Sequence, residues 1–250
     1  MMVFSIAARE LRGLFLSPLA WAILAVIQGI LAFQFLSHIE YFIELQPQLA
    51  AIDGAPGIAD LVIAPLYADA AVVLLLITPL VTMRVFSEER RSRTISLLFS
   101  APASMTEIVL GKYLGVLAFF MVMLAMLTLM PLSLLAGSTL DLGKLAACVL
   151  GLALVLAAFS AIGVYMSSLT EQPVIAAVTT FGLLLMLLLL DRSNLPGDEA
   201  SVLGYLSMLA HYEPLLKGLF NSTDIIYYLL ITVLFLGFTI RRLDAMRLRG

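Results

Sequence analysis

Apolar residues fall into six blocks separated by short polar stretches, over 19–36, 66–86, 108–136, 145–169, 174–190 and 225–240. A helix that crosses a bilayer needs roughly 20 mostly apolar residues, so each block is a candidate span. The second is the least clean. Its charge-free part, 70–83, is short, so Asp69 and Arg84 must reach the two interfaces, as end charges do, or the run inserts only in part. Ahead of the first block, Val3, Ala7, Leu11 and Leu14 share one helical face, and Ser5, Arg9 and Arg12 share the other. That pattern predicts an amphipathic helix over about 2–16, lying on the membrane with Arg9 and Arg12 toward water and headgroups. Ser17-Pro18 reads as a cap and first-turn proline that restart the chain in a new direction; the competing reading is one longer span. The expected fold is all-α: an integral membrane protein of six transmembrane helices with an N-terminal elbow helix.

Composition supports this class. The chain is 62% hydrophobic and 12% charged, against about half and a quarter for soluble domains. The single cysteine, Cys148, rules out an internal disulfide and reads as a small packing residue. No cleavable signal peptide is expected before the first block. Basic residues set the orientation, because they favour the cytoplasmic side. Eleven of the fourteen lie before the first span, between the second and third, or after the sixth. Both termini and the 83–112 loop are therefore expected in the cytoplasm. On the other side, 37–65 carries acids, and 191–224 is apolar enough to form either short helices dipping into the membrane or a helix packed across the span ends.

The cytoplasmic loop has its own order. Thr94 to Ser100 predicts a short helix with Ile95, Leu98 and Phe99 on one face. Pro102 ends it, and Ser104 with Glu107 forms a capping box that opens the third span. A short helix held between two spans suits a docking element; the other possibility is a helix resting on lipid.

Several function classes lack their residues. His38 and His211 are far apart, and no zinc-protease or nucleophile-elbow motif occurs. Gly111-Lys112 resembles the end of a phosphate loop but has Thr106 and Tyr113 where that loop needs Gly and Ser or Thr. Glu88 and Glu89 dilute the Arg90, Arg91, Arg93 cluster, against nucleic-acid binding. No ionisable group sits in a span centre, where ion-coupled carriers keep them. Gln28, Gln34, Thr78, Thr128 and Ser160 are too scattered for a channel ring. Ala153, Ala157 and Ala161 form a small-residue stripe that permits close helix packing.

The run M-R-x-F-S-E-E-R-R-x-x-T-x-x-L-L at 83–98, followed by S-A-P-A-S and I-V-L-G-K, resembles the first cytoplasmic loop of type-2 (ABC-2) ABC exporter permeases, and most of all the gliding-motility-associated permeases. ARELRGLFLSPLAWAI, SSLTEQPVIAA and HYEPLLKGLFNSTDIIYY resemble their elbow, the turn between spans four and five, and the run into the last span. Ser92-Arg93 departs from the pattern, which commonly has glycine there. The resemblance covers the chain as one permease domain, 1–250, with a coupling segment at about 87–107. It implies a non-enzymatic transmembrane subunit in the cytoplasmic (inner) membrane, with ATP and Mg bound by a separate cytoplasmic ATPase. It further implies a second permease chain, and an extracytoplasmic auxiliary protein in similar members. The ATPase-coupling residues would be Glu88, Glu89, Arg90, Thr94, Ile95, Leu98 and Phe99, with Arg9 and Arg12 on the elbow. Export driven by ATP hydrolysis is the expected function; the alternative is force transmission to an outside partner without solute transport.

Overall fold

The computed structural model describes residues 2–49, 56–94, 103–136, 140–190 and 206–248, and all regular structure among them is helical. In chain order the helices are α1 (Met2–Leu16), α2 (Pro18–Leu49), α3 (Ala64–Thr82, entered through a π-helical turn, Ala59–Ile63), α4 (Ser87–Arg91) and α5 (Met105–Ser133, ending in a 3-10 turn, Leu134–Ala136). They continue with α6 (Leu142–Leu169), α7 (Pro173–Leu189), α8 (Met208–Leu216) and α9 (Ser222–Arg247). Among the described residues, five stretches are long and apolar enough to cross a membrane: Pro18–Gln48, Ala59–Arg91, Met105–Ser133, Leu142–Leu169 and Ser222–Arg247. The seventeen residues of α7 are also apolar but span only about 26 Å as a helix. This is a membrane protein.

Helix α6 is the centre of the bundle. It packs against α3, α5, α7, α8 and α9, and Leu152, Leu156, Phe159, Ile162 and Val164 are buried on it. The small residues of α6 that allow the closest approaches are Gly151 and Gly163. A Cβ at Gly163 would stand 2.3 Å from the Thr82 hydroxyl oxygen, so the Thr82 side chain of α3 packs directly on the α6 backbone there. In the stripe expected from sequence, Ala161 is buried, whereas Ala153 and Ala157 are half-buried. Helices α2 and α9 lie at the outside and turn Val26, Ile30 and Phe33, and Leu230, Val233 and Phe238, away from the protein.

The elbow is separate from the first span. Helix α1 stops at Leu16, Ser17 is a bend, and Pro18 is the first residue of α2, where its missing N–H leaves no intrahelical bond unmade. Arg9 and Arg12 are exposed, while Met2, Ile6, Leu11, Leu14 and Phe15 pack against the core, mainly on α5. The apolar face therefore rests partly on α5, while Phe4 and Leu16 are exposed. The first span is longer than its apolar block: the helix continues to Leu49, about 48 Å in all. The block ends early because His38, Glu40 and Glu44 interrupt it, but His38 Nε2 lies 2.9 Å from Asp69 Oδ2 on α3. The second span likewise begins before its apolar block, at Ala59, and Lys144 pairs with Asp60 there. Partners on neighbouring helices let these acids sit along the helix instead of marking its end.

At this acidic end, residues 191–205 lie outside the described residues, and the described remainder of that segment contains α8. Its Met208, His211, Tyr212, Leu215 and Leu216 are buried. Leu215 and Tyr212 cover Gly151, about 14 Å along α6 from its start, so α8 is wedged between helices. Burial pushes the Tyr212 phenol well above its ordinary pKa, and the protonated hydroxyl donates to the Tyr67 carbonyl at 2.9 Å. His211 Nδ1 lies 2.7 Å from Asp224 Oδ1 and its ring stacks on Tyr227, joining α8 to α9.

Candidate functional site

The other end of the bundle, rich in arginine, gathers α1, α4, the start of α5 and the α6–α7 turn. Helix α3 ends at Thr82, and the chain turns over 83–86 before α4. That turn is held by Ser167, near the end of α6. Its Oγ accepts from the N–H groups of Phe86 (3.0 Å) and Ser87 (3.2 Å) and donates to the Met83 carbonyl (2.9 Å). Buried backbone groups need such partners, and one hydroxyl serves three of them here.

Lys112 enters from α5. The capping box is present: Ser104 Oγ accepts from the Glu107 N–H at 3.2 Å, and the Ser104 N–H donates to Glu107 Oε2 at 3.0 Å. This sets the start of α5 and hence the direction of Lys112 two turns later. The lysine is almost fully buried. Its ammonium lies 2.8 Å from Glu89 Oε1 on α4, 3.3 Å from Glu10 Oε2 on α1, and donates at 2.8 Å to the Val85 carbonyl. All three donors of the ammonium are used, and the Phe86 ring lies 5.3 Å from it, within cation–π range. Glu89 Oε2 is buried without a hydrogen-bond partner among the described residues. One cation thus joins the elbow, the 83–94 segment and the third span.

The elbow reaches Lys112 because glycines on α5 face it. A Cβ at Gly111 would stand 2.6 Å from Ile6 Cβ, and one at Gly115 would stand 2.6 Å from Glu10 Cβ. Gly111 and Gly115 are four apart, the spacing that lets two helices close to backbone distance. The segment is tied on its other side by Arg90, which donates to the Ser168 carbonyl at 2.8 Å and pairs with Glu171 at 3.3 Å.

The residues singled out from sequence therefore separate. Glu89 and Arg90 point into the protein and anchor the segment. Glu88 is exposed, as are Arg9 and Arg12. Thr94 is a turn residue whose Oγ1 lies 2.8 Å from Ser92 Oγ. Ile95, Leu98 and Phe99 lie outside the described residues, as does the helix expected over 94–100 apart from Thr94; the helical turn among the described residues is α4, earlier in the chain. Glu10, Lys112 and Ser167 were not singled out. The signal for Lys112 was present: a lysine beside G-x-x-x-G in the first turns of a span is a cation facing a close helix contact.

Arg93 has φ 57°, the left-handed region that costs an L-residue about 1–2 kcal/mol. Arg93 is one of the two positions, Ser92-Arg93, at which the resemblance places a glycine, and its backbone is one that glycine adopts without strain. Arg93→Gly is expected to hold or slightly raise the thermal midpoint in detergent, because relief of strain outweighs the extra freedom of an unfolded glycine. Arg93→Val is expected to lower it by about 2–4 °C per kcal/mol. A lower midpoint for the glycine variant than for valine would contradict the strain.

These contacts hold and orient chain segments; they bring no nucleophile to a base. No curated protein matches the chain. A family model described as ABC-2 family transporter protein matches residues 4–248, nearly the full length and including the elbow, the 83–94 segment and the last span. The chain belongs to the ABC-2 transporter family, as a membrane permease subunit of an ABC transporter.

Proposed function

We propose that the chain is the permease of an exporter in the cytoplasmic membrane, most similar to the gliding-motility-associated permeases. In this reading it has six spans, with α7 as the fifth, and both termini and the 83–112 loop face the cytoplasm. A separate ATPase holds ATP and Mg and docks on the loop, two permease chains form the membrane unit, and an auxiliary protein sits outside. The observation that carries the reading is the buried Lys112, with Glu10, Glu89 and the Val85 carbonyl around it. A loop that only covered lipid would need no buried ion pairs to three elements. A loop that receives a push must be joined rigidly to what it moves. Glu89 and Arg90 then act as anchors on the permease side, Ile95, Leu98 and Phe99 are the docking residues for the ATPase, and the exposed Glu88 and Thr94 complete the coupling set.

The second reading is force transmission to the outside partner without a solute. What favours it is that span hydroxyls turn onto their own helices: Thr78, Thr180, Thr232 and Thr239 each donate to the carbonyl four residues back. They offer little polar lining to a passing molecule. Measuring uptake into inverted vesicles against ATP hydrolysis separates the two readings.

Docking is tested by co-purification. Leu98→Asp and Phe99→Asp are each expected to weaken ATPase binding about ten- to hundredfold, the equivalent of one buried apolar side chain, with permease abundance unchanged. Glu88→Gln is expected to change binding little, because exposed charge pairs contribute about 0–1 kcal/mol. Wild-type recovery of the ATPase with both aspartate variants would make the loop a lipid-surface element.

A further inference from the structure

A cleft of about 220 Å³ opens beside the elbow, between α1, α2, α3 and α5. Its lining holds both charged and apolar side chains. Leu80, Arg84 and Glu88 follow one another at four-residue intervals along its α3–α4 wall, and Ile23 and Phe119 also line it. Arg84 and Glu88 are both exposed, and neither forms an ion pair with the other or with any other group among the described residues. An arginine and a glutamate i,i+4 apart would ordinarily pair. Here the helix breaks between them, over 83–86, so each charge is left facing the cleft.

The level of the cleft is that of a membrane surface. Trp21, one helical turn into α2, is exposed, and its indole N–H donates to the Phe15 carbonyl at 2.8 Å; tryptophans of this kind sit at the headgroup level. The volume is below the roughly 300–1,000 Å³ of pockets that enclose a whole small molecule. Leu19 and Leu80 at its edge are both exposed, so an occupant extends outward along apolar surface. An apolar floor, a cation and an anion in that order match one molecule class available at this level.

We propose that this cleft binds one phospholipid with an amine-bearing headgroup, its phosphate on Arg84, its ammonium on Glu88 and the upper part of one acyl chain over Ile23, Leu80 and Phe119. Bound there beside the elbow, the lipid joins α2, α3 and α5 to α4, the helix that carries Glu89 to Lys112. The site does not depend on what the transporter carries.

Gly13 makes the test clean. It lines the cleft, and a Cβ added to it meets nothing within 4 Å, so the side chain of Gly13→Phe starts in open space at the cleft and competes with the lipid for room. Wild-type and variant proteins, purified in mild detergent from nanodiscs of equal phosphatidylethanolamine and phosphatidylglycerol, are compared by native mass spectrometry. The wild type is expected to retain one lipid per chain with about fivefold preference for the ethanolamine headgroup, the discrimination of one partly exposed charge pair. Gly13→Phe is expected to retain none while keeping its thermal midpoint. Arg84→Gln should lower retention of both lipids about fivefold, and Glu88→Gln should erase the preference while lipid stays bound. Three outcomes would overturn the proposal: lipid retained by Gly13→Phe at the wild-type level, displacement of the lipid by millimolar inorganic phosphate, or a change of oligomeric state in Gly13→Phe without loss of lipid. The second would mean a free-phosphate site and the third a subunit contact.

Discussion

Lys112→Met is expected to destabilise the permease by about 3 kcal/mol, the lower end of the range for removing one partner of a buried ion pair. The lysine is only 4% exposed in its side chain, whereas Glu10 and Glu89 are 21% and 25% exposed. Water reaches the carboxylates in part, which is why the lower end applies. Loss of the ammonium leaves two acids near each other, with one oxygen of Glu89 already lacking a partner, and it frees the Val85 carbonyl. The thermal midpoint should fall by roughly 6–12 °C, taking about 2–4 °C per kcal/mol for a chain of this size. Adding Glu89→Gln to Lys112→Met should recover part of that fall, because Glu10 is then the one acid left without its cation instead of two. The recovery measures the coupling directly, as a double-mutant cycle between contacting residues does. Activity should not return with stability: with the ion pair gone, ATP hydrolysis in the assembled complex should continue without driving the membrane subunit. A Lys112→Met protein as stable as the wild type, or a double variant worse than the sum of the singles, would show that the lysine does not hold the three elements together.

Much of the architecture was legible because it follows from one-dimensional patterns. Five of the six apolar blocks coincide with helices long enough to span and one with the shorter α7, Ser17-Pro18 located the corner between α1 and α2, and Ser104 with Glu107 located the start of α5. Span ends were less legible where a charge has a partner on another helix. Asp60, Asp69 and His38 read as stops, yet Lys144 takes up Asp60, and His38 and Asp69 take up each other, so the helices run on. The candidate site was legible only in outline. The motif at 83–94 was visible, but in sequence Glu88 and Glu89 are equivalent neighbours. Only packing makes Glu89 an anchor and Glu88 a surface residue, since consecutive helical positions point about 100° apart. Glu10 stood close to the boundary of the apolar face of α1, and nothing in the α1 pattern showed that a lysine 102 positions later would face it.

Replacing the small residues that admit the elbow should have the second large effect. A Cβ at Gly115 would lie 3.0 Å from the Ala7 carbonyl oxygen as well as 2.6 Å from Glu10 Cβ, and one at Gly111 would lie 3.0 Å from the Val3 carbonyl oxygen. Backbone oxygens cannot rotate aside as a side chain does, so even alanine forces α1 outward. Overpacking of this kind costs about 1–3 kcal/mol. At Gly115 the displaced element carries Glu10, so the 3.3 Å contact to Lys112 lengthens with it and the two losses add. Gly115→Leu is therefore expected to lower the thermal midpoint at least as far as Lys112→Met and to expose α1 to proteolysis between its two arginines. Gly111→Leu should act in the same direction. Gly182 and Gly237 supply the contrast, since an added Cβ at either meets nothing within 4 Å. Alanine at those two positions should be neutral or stabilising by up to about 1 kcal/mol through helix propensity alone. The result that defeats the assignment is a Gly115→Leu protein with its elbow still protected and its midpoint level with that of Gly237→Ala. The elbow would then be a surface helix that happens to lie beside α5, and force on the 83–94 segment would have to reach the spans through Ser167 and Arg90 alone.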